Sequence, residues 1–285
     1  MKQWIFLTIL VLISQVSMAQ EISWVKYPTH LNLDNGASVS HPCVLLANNK
    51  YHLWYVNNNN ISYAKSTDGV IWEEYPSNPV LTDGGDGDWD GDFVSQPSVV
   101  YDGALYRMWF TGYDGSNLRI GYATSTDGVV WNKYTAGPVL DLGVSDSWDG
   151  NGVSGAAVVS DGTVYRMWYT GYDGSNMRVG YATSTDGVVW NKHTAGPVLD
   201  LGVSDSLDDT GVSGAAVVFD GTVYHMCYTG YDGNNMRIGY ATSTDGVAWH
   251  KDESNPVLNL GATDFWDNAG VMSPSVLYDG ILYRM

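Results

Sequence analysis

The sequence predicts an all-β fold: a five-bladed β-propeller of four-stranded antiparallel blades, with the last blade truncated. One long segment, YRMWYTGYDGSNMRVGYATSTDGVVW at residues 165–190, recurs in near-identical form along the chain. The serine that opens its STDG motif recurs every 59 residues, at Ser66, Ser125, Ser184 and Ser243. Glycine and aspartate punctuate the chain at short intervals, and no window keeps a helical period. A fixed period of this kind indicates one repeated supersecondary unit that packs against its own copies.

Each repeat divides into four short strands. The apolar run Pro97 to Tyr101 predicts a buried inner strand, and Asp102-Gly103 predicts a hairpin turn. Further strands are expected at 104–111, 118–124 and 129–134. Four antiparallel strands per unit describe a propeller blade, whereas the coils of a solenoid usually have shorter periods.

The repeats place the blades near residues 40–95, 96–154, 155–213 and 214–272, with a partial blade at 273–285. The chain ends at Tyr283-Arg284-Met285, a triplet that continues into tryptophan in blades two and three, so we expect a fragment that stops within a strand. Residues 22–27 (ISWVKY) resemble a fourth strand. We expect them to complete the last blade and close the ring.

Residues 1–19 have the pattern of a signal peptide, so residues 20–285 are expected to form the propeller of a secreted or periplasmic protein. The apolar run is too short to predict membrane insertion. A net charge of −18 argues against nucleic acid and other polyanions as partners. Neutral carbohydrate or cations remain, and we expect a monomer.

Two motifs carry a family resemblance. The run DG-x-x-YRMWYTGYDG followed by R-[IV]-GYATSTDG-x-x-W resembles blades of the five-bladed glycosidase propellers, the arabinanase, levansucrase and invertase superfamily that includes glycoside hydrolase families 43, 32 and 130. The string STDG-x-x-W is similar to the sialidase Asp-box, one residue shorter. The resemblance implies a secreted glycosidase whose carboxylates face a central funnel. Because its aspartate recurs in every blade, we interpret the turn motif as structural.

Catalytic candidates depart from the family pattern. The resemblance implies an Asp or Glu just before each inner strand, but the sequence has Ser40-His41, Ser95-Gln96, Ser154-Gly155, Ser213-Gly214 and Met272-Ser273 there. Hydrolysis needs two carboxylates across the bond. The remaining candidates are Asp34 and Asp92, which do not recur, with Asp149 as the recurrent partner. Turn capping is the alternative for Asp149 and its equivalents.

A ligand without blade symmetry must be recognised by residues that differ between blades. The candidates at the rim of the funnel are His41, Gln96, Asn151, Thr210 and Met272. Small residues in blades three and four predict a pocket that is polar on the side of blades one and two and shallow on the other side. The alternative is neutral drift of the repeats.

The triplet Asp86, Asp88 and Asp90 has the alternating oxygen spacing of a calcium loop. A solvated acidic loop is the alternative, because position twelve would be Pro97 rather than glutamate. No other cofactor is indicated.

Two functions stay open at this point. One is a glycosidase-like protein that acts on or recognises a neutral glycan, and the other is a noncatalytic propeller that binds carbohydrate or protein.

Overall fold

The structure is a computed structural model that describes residues 39–265, 267–278 and 283–285. Every regular element in this part of the chain is a β-strand. The described part contains no helix long and apolar enough to cross a membrane. The predicted signal peptide, the predicted closing strand at 22–27 and Asp34 lie outside the described residues.

Four complete blades follow one another, and in each the four antiparallel strands pair in chain order. Blade one contains β1 (Val39–Ala47), β2 (Lys50–Asn57), β3 (Asn60–Ser66) and β4 (Glu73–Glu74). Blade two contains β5 (Phe93–Tyr101), β6 (Tyr106–Tyr113), β7 (Leu118–Ser125) and β8 (Asn132–Lys133). Blade three contains β9 (Gly152–Ser160), β10 (Tyr165–Tyr172), β11 (Met177–Ser184) and β12 (Asn191–Lys192). Blade four contains β13 (Gly211–Phe219), β14 (Tyr224–Tyr231), β15 (Met236–Ser243) and β16 (His250–Lys251).

The fifth position of the ring is only partly filled. A two-stranded sheet, β17 (Leu277–Tyr278) with β18 (Tyr283–Arg284), stands where the fifth blade was predicted. The described residues therefore form four full blades rather than five. The small sheet closes onto blade one, because the Val44 amide donates to Ser275 Oγ at 3.0 Å. The Val158 amide donates to Ser98 Oγ at 3.1 Å in the same way between blades two and three.

The STDG motif forms the turn between the third and fourth strands of each blade. In blade three, Asp186 Oδ1 accepts the amides of Val188 and Val189, both at 2.8 Å. These amides, Val189 first, hold the pKa of Asp186 below its ordinary value. Gly187 has a positive φ of 79°, which glycine adopts without steric cost. The recurrent aspartates are therefore turn-forming residues.

A buried tryptophan on each second strand joins neighbouring blades. The Trp54 indole donates to the Gly128 carbonyl at 2.8 Å, Trp109 to Gly187 at 2.9 Å, and Trp168 to Gly246 at 2.8 Å. All three side chains are fully buried. Each acceptor belongs to the STDG turn of the following blade, so this hydrogen bond sets the position of one blade against the next. Blade four has Cys227 at the equivalent position.

We expect Trp109→Phe to lower the free energy of unfolding by about 3 kcal/mol, since it removes a buried indole donor and part of the packing between blades. Trp190→Phe is the matched control, because its half-buried indole donates to the same Gly187 carbonyl from within its own turn, at 3.0 Å. That variant should lose about 1 kcal/mol. Urea denaturation followed by circular dichroism measures both. Equal losses would contradict the assignment of Trp109 as the contact between blades.

Candidate functional site

The five inner-strand entries meet at the centre of the ring. They line a small cavity of about 50 Å³ through the pairs His41-Pro42, Gln96-Pro97, Gly155-Ala156, Gly214-Ala215 and Ser273-Pro274. The structure thus brings His41 and Gln96 together although they lie 55 positions apart in the chain. This axial cavity is formed by one residue pair from each position of the ring.

The first residue of each pair has a left-handed backbone. The φ angles are 49° at His41 and Gln96, 57° at Gly155, 56° at Gly214 and 53° at Ser273. The strand pairing is irregular at this point, for example between Ser95 and Ser98 of blade two, which enclose Gln96. This conformation costs a residue with a side chain roughly 1–2 kcal/mol relative to glycine. Blades three and four use glycine, whereas three positions keep a polar side chain despite the strain.

A larger cavity of about 130 Å³ adjoins the first and shares His41, Gln96, Gly214 and Ser273 with it. Its remaining lining is polar at Ser154, Thr170, Ser213 and Thr229, and apolar at Met177, Met236 and Met272. Among the described residues, His41 is the one titratable side chain that lines either cavity, and no carboxylate does so. The site therefore offers neutral hydrogen-bonding groups beside methionine side chains.

Buried threonines hold the polar wall in place. Thr111 Oγ1 accepts the Gly155 amide at 3.0 Å and donates to Gln96 Oε1 at 2.9 Å. A Cβ placed on Gly155 would lie 3.4 Å from Gln96 Nε2, so the amide nitrogen of Gln96 extends over this glycine. Gln96 is therefore positioned to donate a hydrogen bond to a ligand. In the following blades, Thr170 and Thr229 accept the amides of Gly214 and Ser273 at 3.1 and 2.9 Å.

His41 lines the same two cavities. Its Nδ1 is 2.9 Å from Ser40 Oγ. Burial lowers the pKa of His41 from its ordinary value of 6.5, so the ring is neutral at pH 7. A neutral imidazole can both donate and accept hydrogen bonds, as recognition of hydroxyl groups requires.

Asp149, a candidate catalytic carboxylate, lies in a buried polar unit away from both cavities. Its Oδ2 is 2.7 Å from Lys192 Nζ and accepts the Tyr169 hydroxyl at 3.1 Å. Burial, with Asp149 nearby, raises the pKa of Tyr169, which keeps the phenol a donor. Asp208 forms the same unit with Lys251 and Tyr228. The recurrence and burial of this unit favour a structural role. Ser147 Oγ of the same loop also donates to Asp149 Oδ1 at 3.0 Å, as the turn-capping alternative expects.

Asp92, Asn151 and Thr210 pack against the hairpin between the second and third strands of their blades. A Cβ on the hairpin glycines Gly115, Gly174 and Gly233 would lie 2.9, 2.6 and 3.5 Å from their side chains, respectively. These residues are on the face of the ring where the inner strands begin, and they line neither cavity. Of the rim residues predicted from the sequence, His41, Gln96 and Met272 line the cavities.

The acidic triplet does not form a metal-binding group. Asp86 and Asp88 are exposed, whereas Asp90 is buried and 2.6 Å from Lys133 Nζ. Lysine thus supplies the positive charge beside that carboxylate. In residues 39–265, 267–278 and 283–285, no cluster of three or more His, Cys, Asp or Glu side chains is arranged to hold a metal ion.

Sequence reasoning missed the cavity residues that recur with the repeat. Thr170, Thr229, Met177 and Met236 occupy equivalent positions in their blades, so a search for differences between blades passes over them. Ser273 could have been predicted as a cavity residue, because it precedes Pro274 as His41 precedes Pro42.

The fold of the described residues is similar to that of several solved glycoside hydrolase structures. A solved structure described as a glycoside hydrolase superimposes with a TM-score of 0.73 at 20% identity, covering 88% of this chain and 83% of that one. A thermostable family-43 glycoside hydrolase gives 0.65 at 19% identity, over 82% and 78% of the two chains. A family-130 structure, from work on glycoside hydrolases that target β-1,2 mannosidic linkages in Candida mannan, gives 0.60 at 19%, over 75% and 69%. At these identities the similarity establishes the fold.

Closer relatives exist in sequence. Two uncharacterized proteins of Mycobacterium tuberculosis, from strains H37Rv and CDC 1551, are each 32% identical over 222 residues, covering 71% of this chain and 69% of the relative. The chain belongs to the family of these mycobacterial proteins. No known protein-family model matches it.

We expect Asp149→Asn to lower the free energy of unfolding by about 2 kcal/mol, because it leaves Lys192 without its buried counterion. The half-buried state of Lys192 keeps the loss below that of a fully buried pair. Asp146→Asn, at an exposed position of the same loop, is the control and should change stability little. Chemical denaturation gives both values. Unchanged stability together with lost activity on any glycan would instead assign Asp149 to catalysis.

Proposed function

We propose that this protein recognises a neutral carbohydrate in the cavities at the propeller axis. The observation that carries the proposal is the lining: neutral hydrogen-bonding groups from His41, Gln96 and the threonine positions, with no carboxylate among the described residues. Hydroxyl-rich ligands need such donors and acceptors. The larger cavity, at about 130 Å³, is somewhat smaller than the roughly 150 Å³ that holds a benzene ring, so we expect it to take one edge of a sugar residue while the rest of the ring stays outside.

Charge supports the same class of ligand. The net charge of −18 repels polyanionic glycans and nucleic acids, and the cavities present no cationic side chain that would counter this at pH 7. The signal-like residues 1–19 support an exported protein, where extracellular or periplasmic glycans are available.

Hydrolysis of the bound glycan is the second candidate, and the glycoside hydrolase folds among the structural neighbours favour it. It requires a proton donor and a second carboxylate flanking the glycosidic bond. Of the catalytic candidates, Asp34 lies outside the described residues, and Asp92 packs on a hairpin and lines neither cavity. Recognition without turnover is the better-supported function, since fold alone does not determine activity.

We expect His41→Ala combined with Gln96→Ala to weaken binding of a neutral saccharide about 30-fold, the loss of two hydrogen bonds of about 1 kcal/mol each. A glycan array of arabino-, fructo-, xylo- and manno-oligosaccharides identifies the probe, and titration calorimetry measures its affinity.

His250→Ala, at an exposed histidine on β16, is the control and should bind normally. Unchanged affinity in the double variant would contradict an axial site. Turnover of the bound saccharide that disappears in Asp34→Asn, Asp92→Asn would establish the enzyme instead.

Binding should also depend on pH through His41. Because burial lowers the pKa of this histidine below 6.5, the imidazole is neutral above that value and gains a proton only as pH falls through the depressed pKa. Affinity and the contribution of His41 to stability are thus complete above pH 6.5 and decline on acidification. Calorimetric titrations between pH 4.5 and 8, set on either side of that value, measure the profile. In His41→Gln the acid-side decline should vanish, and a decline that persists would assign it to another group.

A further inference from the structure

Phe93 breaks the repeat on the rim of the ring. The equivalent positions of the later repeats are glycine, at Gly152, Gly211 and Gly270. Phe93 begins β5 and pairs directly with Tyr113 at the end of β6. The two rings are stacked, with centroids 4.9 Å apart and planes at 30°. Both side chains are half-buried, so the pair presents part of its aromatic surface to solvent.

The fold does not require this ring. A Cβ on Gly152 would meet the Cβ atoms of Leu118 and Tyr172 at 3.7 and 3.8 Å, which is ordinary contact. Blade three therefore accommodates a Cβ at this position and carries none. There the Tyr172 hydroxyl donates to the Gly174 carbonyl of its own hairpin at 2.7 Å. Phe93 is thus an addition to blade two that its neighbours fold without.

The rim of blade one is lower than that of blade two beside this aromatic pair. Tyr51 pairs with Ser66 in blade one, and the equivalent partners in blade two are Tyr106 and Ser125. The enclosed hairpin is four residues shorter in blade one, or two residues per strand, which lowers its tip by about 7 Å. The Asn59 carbonyl at this short tip accepts the amide of Val94, the residue after Phe93, at 3.1 Å. The short hairpin therefore leaves a notch next to Phe93.

The notch and the axial cavities lie along one strand. Phe93 precedes Gln96 by three positions on β5, a separation of about 10 Å. Asp92, exposed beside Phe93, adds a carboxylate that can accept hydroxyl hydrogen bonds. A chain of sugar residues whose end occupies the axial cavity would leave the ring over blade one and pass this pair.

We propose that Phe93 and Tyr113 form a second carbohydrate subsite, at which a ring of a neutral oligosaccharide stacks while its terminal residue is held at the axis. This proposal rests on the proposed axial recognition. The C–H face of a sugar ring is apolar, and aromatic surfaces pack against such faces while the hydroxyl groups stay hydrated. The subsite makes the protein selective for oligosaccharides over single sugars.

The test compares affinities for saccharides of one to five residues in the arabino-, manno-, xylo- and fructo- series. Phe93→Gly, which installs the residue of blades three and four, should weaken oligosaccharide binding about 5- to 10-fold and leave monosaccharide binding unchanged. Phe93→Leu keeps apolar bulk without a ring and should show the same selective loss. Phe93→Tyr keeps the ring and should bind normally.

A matched control exists on the opposite face of the ring. Phe219, at the other end of an inner strand, stacks on its register partner Tyr224 with centroids 4.4 Å apart. Blade three has Ser160 at the equivalent position. Phe219→Ser therefore removes a similar aromatic pair far from the notch, and it should leave both affinities unchanged.

The outcomes separate the two proposals. If oligosaccharide affinity is unchanged in Phe93→Gly but lost in the His41→Ala, Gln96→Ala variant, the subsite is overturned and axial recognition is supported. Binding that depends on Phe93 but not on His41 and Gln96 supports an aromatic site and overturns the axial one. Equal loss for single sugars and oligosaccharides in Phe93→Gly overturns the subsite as well. A wild-type protein that binds no neutral saccharide overturns both.

Discussion

The hydrogen bond from a buried tryptophan to the turn of the next blade is the interaction on which the rest of the structure depends. The Trp109 indole is fully buried and reaches Gly187 of the STDG turn, and Trp54 and Trp168 repeat the contact. A buried indole N–H without a partner would be costly, so the contact constrains both the turn and the angle between blades. The same constraint explains why tryptophan and the STDG motif recur together.

The contact between blades is repeated around the ring, but it does not involve the residues at the ring axis. The axial residues can therefore differ from blade to blade. Each position around the axis has one left-handed residue, for which glycine suffices in blades three and four. Histidine, glutamine and serine at the other three positions carry a backbone cost that the fold does not need. Side chains kept in this conformation around a shared cavity are the physical reason for placing recognition at the axis.

The acidic residues have a different distribution from that expected of a glycosidase. The aspartates that recur are used in turns, as Asp186 is, or in buried units with lysine, as Asp149 and Asp208 are. Once these carboxylates are engaged, the described cavities keep a neutral lining. The fold is thus similar to that of solved glycoside hydrolases, whereas the axial cavities have a neutral lining. Phe93, in the subsite that we propose, lies on the same strand as Gln96.

The sequence by itself determined the propeller, the strands of each blade, the structural role of the STDG aspartates and the positions of His41, Gln96 and Met272 near the axis. These features follow from the periodicity of the sequence, because aligned repeats show which residues are equivalent and which differ. Only the tertiary structure decided that Asp149 pairs with Lys192 and that Asp92, Asn151 and Thr210 pack on hairpins. It also brought Thr170, Met236 and Ser273 into one cavity and placed Phe93 beside a shortened hairpin. Such contacts join residues far apart in the chain, and their geometry is set by how blades pack around the ring, which no local pattern encodes.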